Sequence, residues 1–141
     1  MVRILVIAML LSFSLAGQAF GEGQYFKKED LKTWDREKVA GGEGTLSGKF
    51  SFTRHDAKPE DAIKEIGWMT LLPGASIGMH KHENNEDAYI IVSGTGVFIG
   101  DDGKELPVKA GDITLARKGQ SHALLNTGTE PLYFLDIVAQ Q

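Results

Sequence analysis

His80 and His82 sit one residue apart, the acidic pair Glu86 and Asp87 follows, and a third histidine, His122, arrives near the C-terminal end. On an extended strand, side chains two apart point to the same face, so the imidazoles of His80 and His82 aim at one spot. Imidazole nitrogens joined by a carboxylate make a site for a divalent cation. The remaining histidine, His55, stands between Arg54 and Asp56 and reads as solvated.

These residues need rigid elements to hold them, and the sequence offers strands. From Gly44 onward, short β-prone stretches alternate with turn residues: Gly44 to Thr53, Gly67 to Leu72, Ser76 to His82, Ala88 to Ser93, Gly96 to Ile99, Glu105 to Val108, Ile113 to Ala116, His122 to Asn126 and Leu132 to Val138. Pro73-Gly74, Ser93-Gly94, Asp102-Gly103, Ala110-Gly111 and Lys118-Gly119 supply the breaks. Many short strands at such spacing predict an all-β sandwich or barrel. One interruption reads as a short helix or a 3-10 turn: Lys58 to Ile66 opens with Pro59, Glu60 and Asp61, which suit a helix start.

The first residues read as a leader. Arg3 gives a positive start, Ile4 to Gly17 is an apolar run, and the small residues Gly17 and Ala19 fit cleavage after Ala19, with Gly21 as the second choice. The run is shorter than the ~20 apolar residues that a bilayer span needs. The expectation is a signal peptide over 1–19 and an exported protein, periplasmic or secreted, with no membrane association once the leader is gone. The rest of the chain has room for one domain. The whole chain has a formal charge of −4, which gives nucleic acid no reason to bind, and it lacks cysteine, so no disulfide staples it.

Residues 20–40 are dense in charge around Tyr25, Phe26, Leu31 and Trp34 and read as a peripheral arm with one helical turn, laid on the domain through those aromatics. The barrel domain then covers 41–141. Ala88-Tyr89-Ile90-Ile91-Val92 is apolar on both parities, which predicts a strand covered on both sides, either in a homodimer or by the arm.

Two segments carry a family resemblance. Gly74-Ala75-Ser76-Ile77-Gly78-Met79-His80-Lys81-His82, followed by Glu83 to Asp87 and Ala88 to Gly94, resembles the first cupin motif; Gly111 to His122, with Asn126 after it, resembles the second. The resemblance implies a double-stranded β-helix, or jelly-roll barrel, and a metal held by His80, His82, one of Glu86 or Asp87, and His122. Counting forward from His82, Glu86 keeps the usual residue type; counting back from Gly94, Asp87 falls in the carboxylate slot. Parity favours Asp87, which shares a face with Tyr89 and Ile91. Arg117 stands where the family usually has proline, and it reads as a surface partner for an acid.

Three imidazoles and a carboxylate suit Mn, Fe, Ni, Cu or Zn, with positions left for water or a ligand. Parity also nominates Tyr89 and Gln120 as pocket residues, with Trp68, Met79, Phe98 and Phe134 as apolar wall. Asn126 shares parity with His122 but has a turn role in the family. Because the fold hosts many functions, two readings stand. One is a metal-dependent oxidoreductase or isomerase acting on a small oxygenated substrate, with Glu86 as a base if Asp87 is the ligand. The other is a non-catalytic protein binding a metal or a small ligand such as a carbohydrate.

Overall fold

A computed structural model describes residues 23–140. The alternation in the sequence becomes ten strands: β1 (Lys32–Glu37), β2 (Thr45–Phe52), β3 (Ile63–Leu71), β4 (Ser76–Lys81), β5 (Glu86–Ser93), β6 (Thr95–Ile99), β7 (Glu105–Lys109), β8 (Ile113–Ala116), β9 (Ser121–Leu125) and β10 (Leu132–Ala139). They form a six-stranded sheet in the order β1-β2-β3-β10-β5-β8 and a four-stranded sheet in the order β4-β9-β6-β7, with every pairing antiparallel. Two sheets of this order, with sequential strands passing between them, are the rolled-up jelly roll the sequence predicts. The segment expected to be a signal peptide, 1–19, lies outside the described residues.

The core lies between the sheets. Phe50, Met69, Leu71, Ile91, Leu124, Leu132 and Phe134 are buried there, each from the apolar parity of its strand. On β10 the parity runs from Leu132 through Phe134 to Asp136 and Val138, so a carboxyl joins an otherwise apolar face. Between β5 and β6 the chain reverses at Gly94, whose φ of +84° suits glycine and whose missing Cβ makes room for the Pro131 backbone.

One irregularity decides where the histidines point. Ile77 pairs with Leu124 and His80 with His122, so β4 spends three steps where β9 spends two. This is a bulge at Gly78 and Met79, and it lets both Ile77 and His80 face inward despite opposite parity. Gly78 permits it, since a Cβ there would meet the Ala40 carbonyl from the 3-10 turn Val39–Gly41.

Two expectations are corrected. Lys58 to Ile66 holds no helix and only a single i to i+3 turn, in which Asp61 N–H donates to the Lys58 carbonyl at 3.1 Å, and β3 begins at Ile63. Pairing with β2 and β10 overrides the local helix-start chemistry. The arm holds the expected turn, Lys28–Asp30, but it then joins the larger sheet as edge strand β1. From that edge β1 lies four strands from β5, so it does not cover the outer face of β5. No helix among the described residues is long and apolar enough to cross a membrane.

Candidate metal centre

β4 and the residue after it supply His80 and His82, β9 supplies His122, and β5 supplies Asp87. The three Nε2 atoms lie 3.2 Å (His80 to His82), 3.0 Å (His82 to His122) and 3.1 Å (His80 to His122) apart. Asp87 Oδ2 closes the group at 3.4 Å from His82 Nε2 and 3.3 Å from His122 Nε2. Ligand bonds of about 2.1 Å meeting at right angles would separate their donors by about 3 Å, the spacing of the nitrogens here.

The proton positions argue the same way. Nδ1 of His80 lies 2.9 Å from the Gly78 carbonyl, which can only accept, so that nitrogen carries the proton. Nδ1 of His82 lies 3.0 Å from Asn85 Oδ1 and donates to it. Both Nε2 atoms are then bare lone pairs in mutual contact, an arrangement that a cation between them satisfies. The residues fit a divalent ion.

Burial and charge tune the donors. His122 is fully buried, with its ring stacked on Tyr89 at 4.9 Å and Phe98 edge-on at 5.7 Å. Burial holds the pKa of His80 below the usual imidazole range, against the opposing bond to Gly78, which favours the neutral ring a metal requires. For Asp87 burial pushes upward, but hydrogen bonding to His122 and Asp136 and the charges of the histidines hold it below the usual carboxylate range. Asp136 lies behind it and is pushed well above that range, first by burial and then by the charge of Asp87. Burial likewise pushes the Tyr89 phenol up, so its hydroxyl keeps its proton; it lies 3.5 Å from His122 Nε2.

His80, His82 and Asp87 line a cavity of about 500 Å³ whose wall also includes Trp34, Arg36, Glu65, Tyr89 and Asp136, while His122 sits buried behind them. Glu86 does not reach it. That carboxylate turns outward and pairs with Arg117 at 3.0 Å, so Asp87 is the acid within the cluster and Glu86 is not placed to serve as a base there. Arg117 thus has the surface acid partner expected of it. Asn126 is buried in the turn role, its Nδ2 donating to the Leu71 carbonyl at 2.7 Å and the Glu130 carbonyl at 2.9 Å. His55 is exposed.

Of the six parity-nominated pocket residues, Tyr89 lines the cavity and the others do not. Trp68 is on the outer face, stacked on Tyr133 at 5.5 Å, because Met69 and Leu71 take the inward parity of β3. Met79 is the exposed residue of the bulge. Gln120 belongs to the turn before β9, where strand parity no longer holds, and its side chain accepts a bond from the Arg117 backbone at 2.9 Å. Phe98 and Phe134 are core residues that back His122 and Tyr89. Missed from the sequence were Arg36, Glu65, Asn85 and Asp136. A readable signal existed for Asp136, a lone acid on the apolar parity of β10.

A family model described as a cupin domain matches residues 67–138. The oxalate-binding protein of Thermotoga maritima is 47% identical over 118 residues, which are 84% of this chain and 95% of that protein. A gentisate 1,2-dioxygenase of Ralstonia sp. is 34% identical over 73 residues, 52% of this chain but 20% of the enzyme. Among solved structures, a predicted oxalate decarboxylase from Thermotoga maritima matches with a TM-score of 0.75 at 30% identity, covering 84% of this chain and 100% of that one. KdgF from Halomonas sp., at 16% identity and a TM-score of 0.66 over 85% of this chain and 96% of its own, shares the fold. The chain belongs to the cupin family.

Proposed function

We propose that this protein binds one divalent transition-metal ion (Mn, Fe, Ni, Cu or Zn) through His80, His82, Asp87 and His122, and takes a small carboxylate of the oxalate class at the ion's remaining positions. The observation that carries this reading is the convergence of three Nε2 atoms and one carboxylate oxygen in one cluster, of which His80, His82 and Asp87 line a cavity with space beyond them. Four protein donors leave two positions on a six-coordinate ion, and a carboxylate is a hard, anionic ligand suited to them. The name of the 47% identical relative, an oxalate-binding protein, supports the ligand class. Metal analysis of the purified protein followed by calorimetric titration with oxalate tests it. About one ion per chain and oxalate binding that disappears with the ion are expected; a loaded protein that ignores oxalate overturns the ligand, and a protein that retains no ion overturns the site.

A metal-dependent enzyme on the same residues is the second reading, favoured by a further buried carboxyl group, Asp136, on the cavity wall behind the carboxylate ligand. When bound, the ion would supply Lewis acidity toward the ligand. Release of formate from oxalate, or oxygen uptake with small oxygenated substrates, separates this reading from simple binding.

The leader in the sequence supports export to the periplasm or the exterior, which the mass of the mature protein tests through cleavage after Ala19. A homodimer is also proposed. On the outer face of the larger sheet, Trp68, Leu135, Ile90 and Ile113 form one row across β3, β10, β5 and β8, and Ile66, Ile137, Ala88 and Leu115 form the next. Ile113 is 69% exposed in the single chain. A contiguous apolar face of this kind suits a second copy of itself.

A further inference from the structure

Arg36 reaches the cavity from β1, the strand contributed by the charged N-terminal arm. Its register partner on β2 is Leu46, a buried core residue, so Arg36 shares the inward face of the sheet. The guanidinium carbon sits 4.7 Å from the centre of the Trp34 ring and 5.8 Å from that of Phe50. Cation–π contact with these rings holds the group against them without using its N–H donors. Its Nε is buried without a hydrogen-bond partner, and among the described residues no ion pair involves it. A fixed, half-buried guanidinium without an anion is an unsatisfied group.

The charges around the cavity show what is missing. Arg54 lies 3.6 Å from buried Glu65, so those two offset each other. Lys81 pairs with Glu83 at the rim, at 3.5 Å. Among the described residues, Arg36 alone of these basic groups has no acid paired with it, so it stands as a positive pole on the cavity wall apart from the metal ligands. A ligand with a second carboxylate gives it a partner that a monocarboxylate does not.

Resting on the metal-and-carboxylate reading above, we propose that Arg36 is a specificity-determining residue: the second pole of the ligand site, which takes the outer carboxylate of a dicarboxylate whose inner oxygens meet the ion. The N–H fork of arginine matches a carboxylate in two parallel hydrogen bonds. The arm thereby becomes part of the binding site and sets the preference for two negative charges over one.

The test compares oxalate with glycolate, which offers the ion a carboxylate and an adjacent oxygen but has no second carboxylate. Isothermal titration uses the full-length mature protein loaded with Mn(II), as wild type, Arg36→Gln and Arg36→Lys, with metal content and melting temperature measured alongside. Wild type should bind oxalate more tightly than glycolate. Arg36→Gln should lose about 30-fold in oxalate affinity, and less than about 3-fold for glycolate, since one charge-assisted pair is removed. Arg36→Lys should recover part of the difference, because it keeps the charge and loses the fork. If Arg36→Gln weakens both ligands equally, or neither, the role of Arg36 is overturned while the metal-and-carboxylate reading stands. If loaded wild type binds neither ligand, both fall. If Arg36→Gln fails to fold, Arg36→Lys decides alone: an unchanged ratio of oxalate to glycolate affinity overturns the assignment.

Discussion

His80 and His122 face each other directly across the β4–β9 ladder, with their Nε2 atoms 3.1 Å apart. The pair comes from residues 42 positions apart in sequence and rests on one stretch of antiparallel pairing, so the centre is as rigid as the sheet that carries it.

Removing a donor should remove the metal. His80→Ala, His82→Ala and His122→Ala are each expected to lower affinity by more than about 100-fold, since the loss of a direct ligand exceeds the effect of an outer partner. Glu86→Ala, which breaks only the exposed pair with Arg117, should change affinity by less than about 3-fold and stability by less than about 1 kcal/mol. Competition with a chelating dye measures the first, and urea unfolding the second.

Asn85 acts on the ion through His82. Its Oδ1 fixes the Nδ1–H tautomer, so Asn85→Ala should weaken metal binding by about 10- to 100-fold while the variant still folds. An unchanged affinity would show that the tautomer is set without it.

Gly78→Ala should be destabilising by about 2 kcal/mol or more, because the new Cβ meets the backbone of Ala40 and Gly42, neither of which is a flexible side-chain end. It should also weaken metal binding, since the Gly78 carbonyl that orients His80 would have to move. Chemical unfolding and metal titration of the same variant read both effects.

The metal-free protein should respond to pH through two groups of opposite sign. The pKa of Asp136 is raised on folding, so its contribution is complete below its ordinary value of 3.8 and declines as pH rises from there toward its folded value. His80 is lowered, so its contribution is complete above 6.5 and is lost as pH falls from there toward its folded value. Asp136→Asn should therefore be more stable than wild type near neutral pH, with the two converging toward about pH 4. Urea midpoints across that range decide it, and curves that stay parallel would remove Asp136 from the account.

The apolar outer face gives a prediction about assembly. Leu115→Glu and Ile113→Glu, both on β8 and both exposed, should convert the proposed dimer into a folded monomer in sedimentation velocity. Wild type sedimenting as a monomer at the same concentrations would remove the interface.

Much of the site was legible because it depends on local alternation. His80 and His82 share a face, and parity favoured Asp87 while leaving Glu86 as the alternative, since β5 runs without a break from Glu86 to the inward residues Tyr89 and Ile91. The outward turn of Glu86 toward Arg117 then separates the two. What parity could not show were changes of register and partners chosen by topology. Met79 was misplaced by the bulge and Gln120 by a turn that ends the strand pattern. Arg36 looked like one charge among many in a solvated arm; only the pairing of β1 with β2 turns it inward. Asp136 carried a local signal, a lone acid on the apolar parity of β10, whereas Glu65 enters the cavity wall through the pairing of β3 with β10, a fact that belongs to the fold and not to its segment.

The extra residue at Gly78 and Met79 has a wider consequence. Deleting Met79 would match β4 to β9 two steps for two, so Ile77 and His80 would still share the inner surface and the histidine pair across the ladder would be kept. The exposed methionine is thus a position of β4 at which this chain can shorten without turning an imidazole away from the cluster.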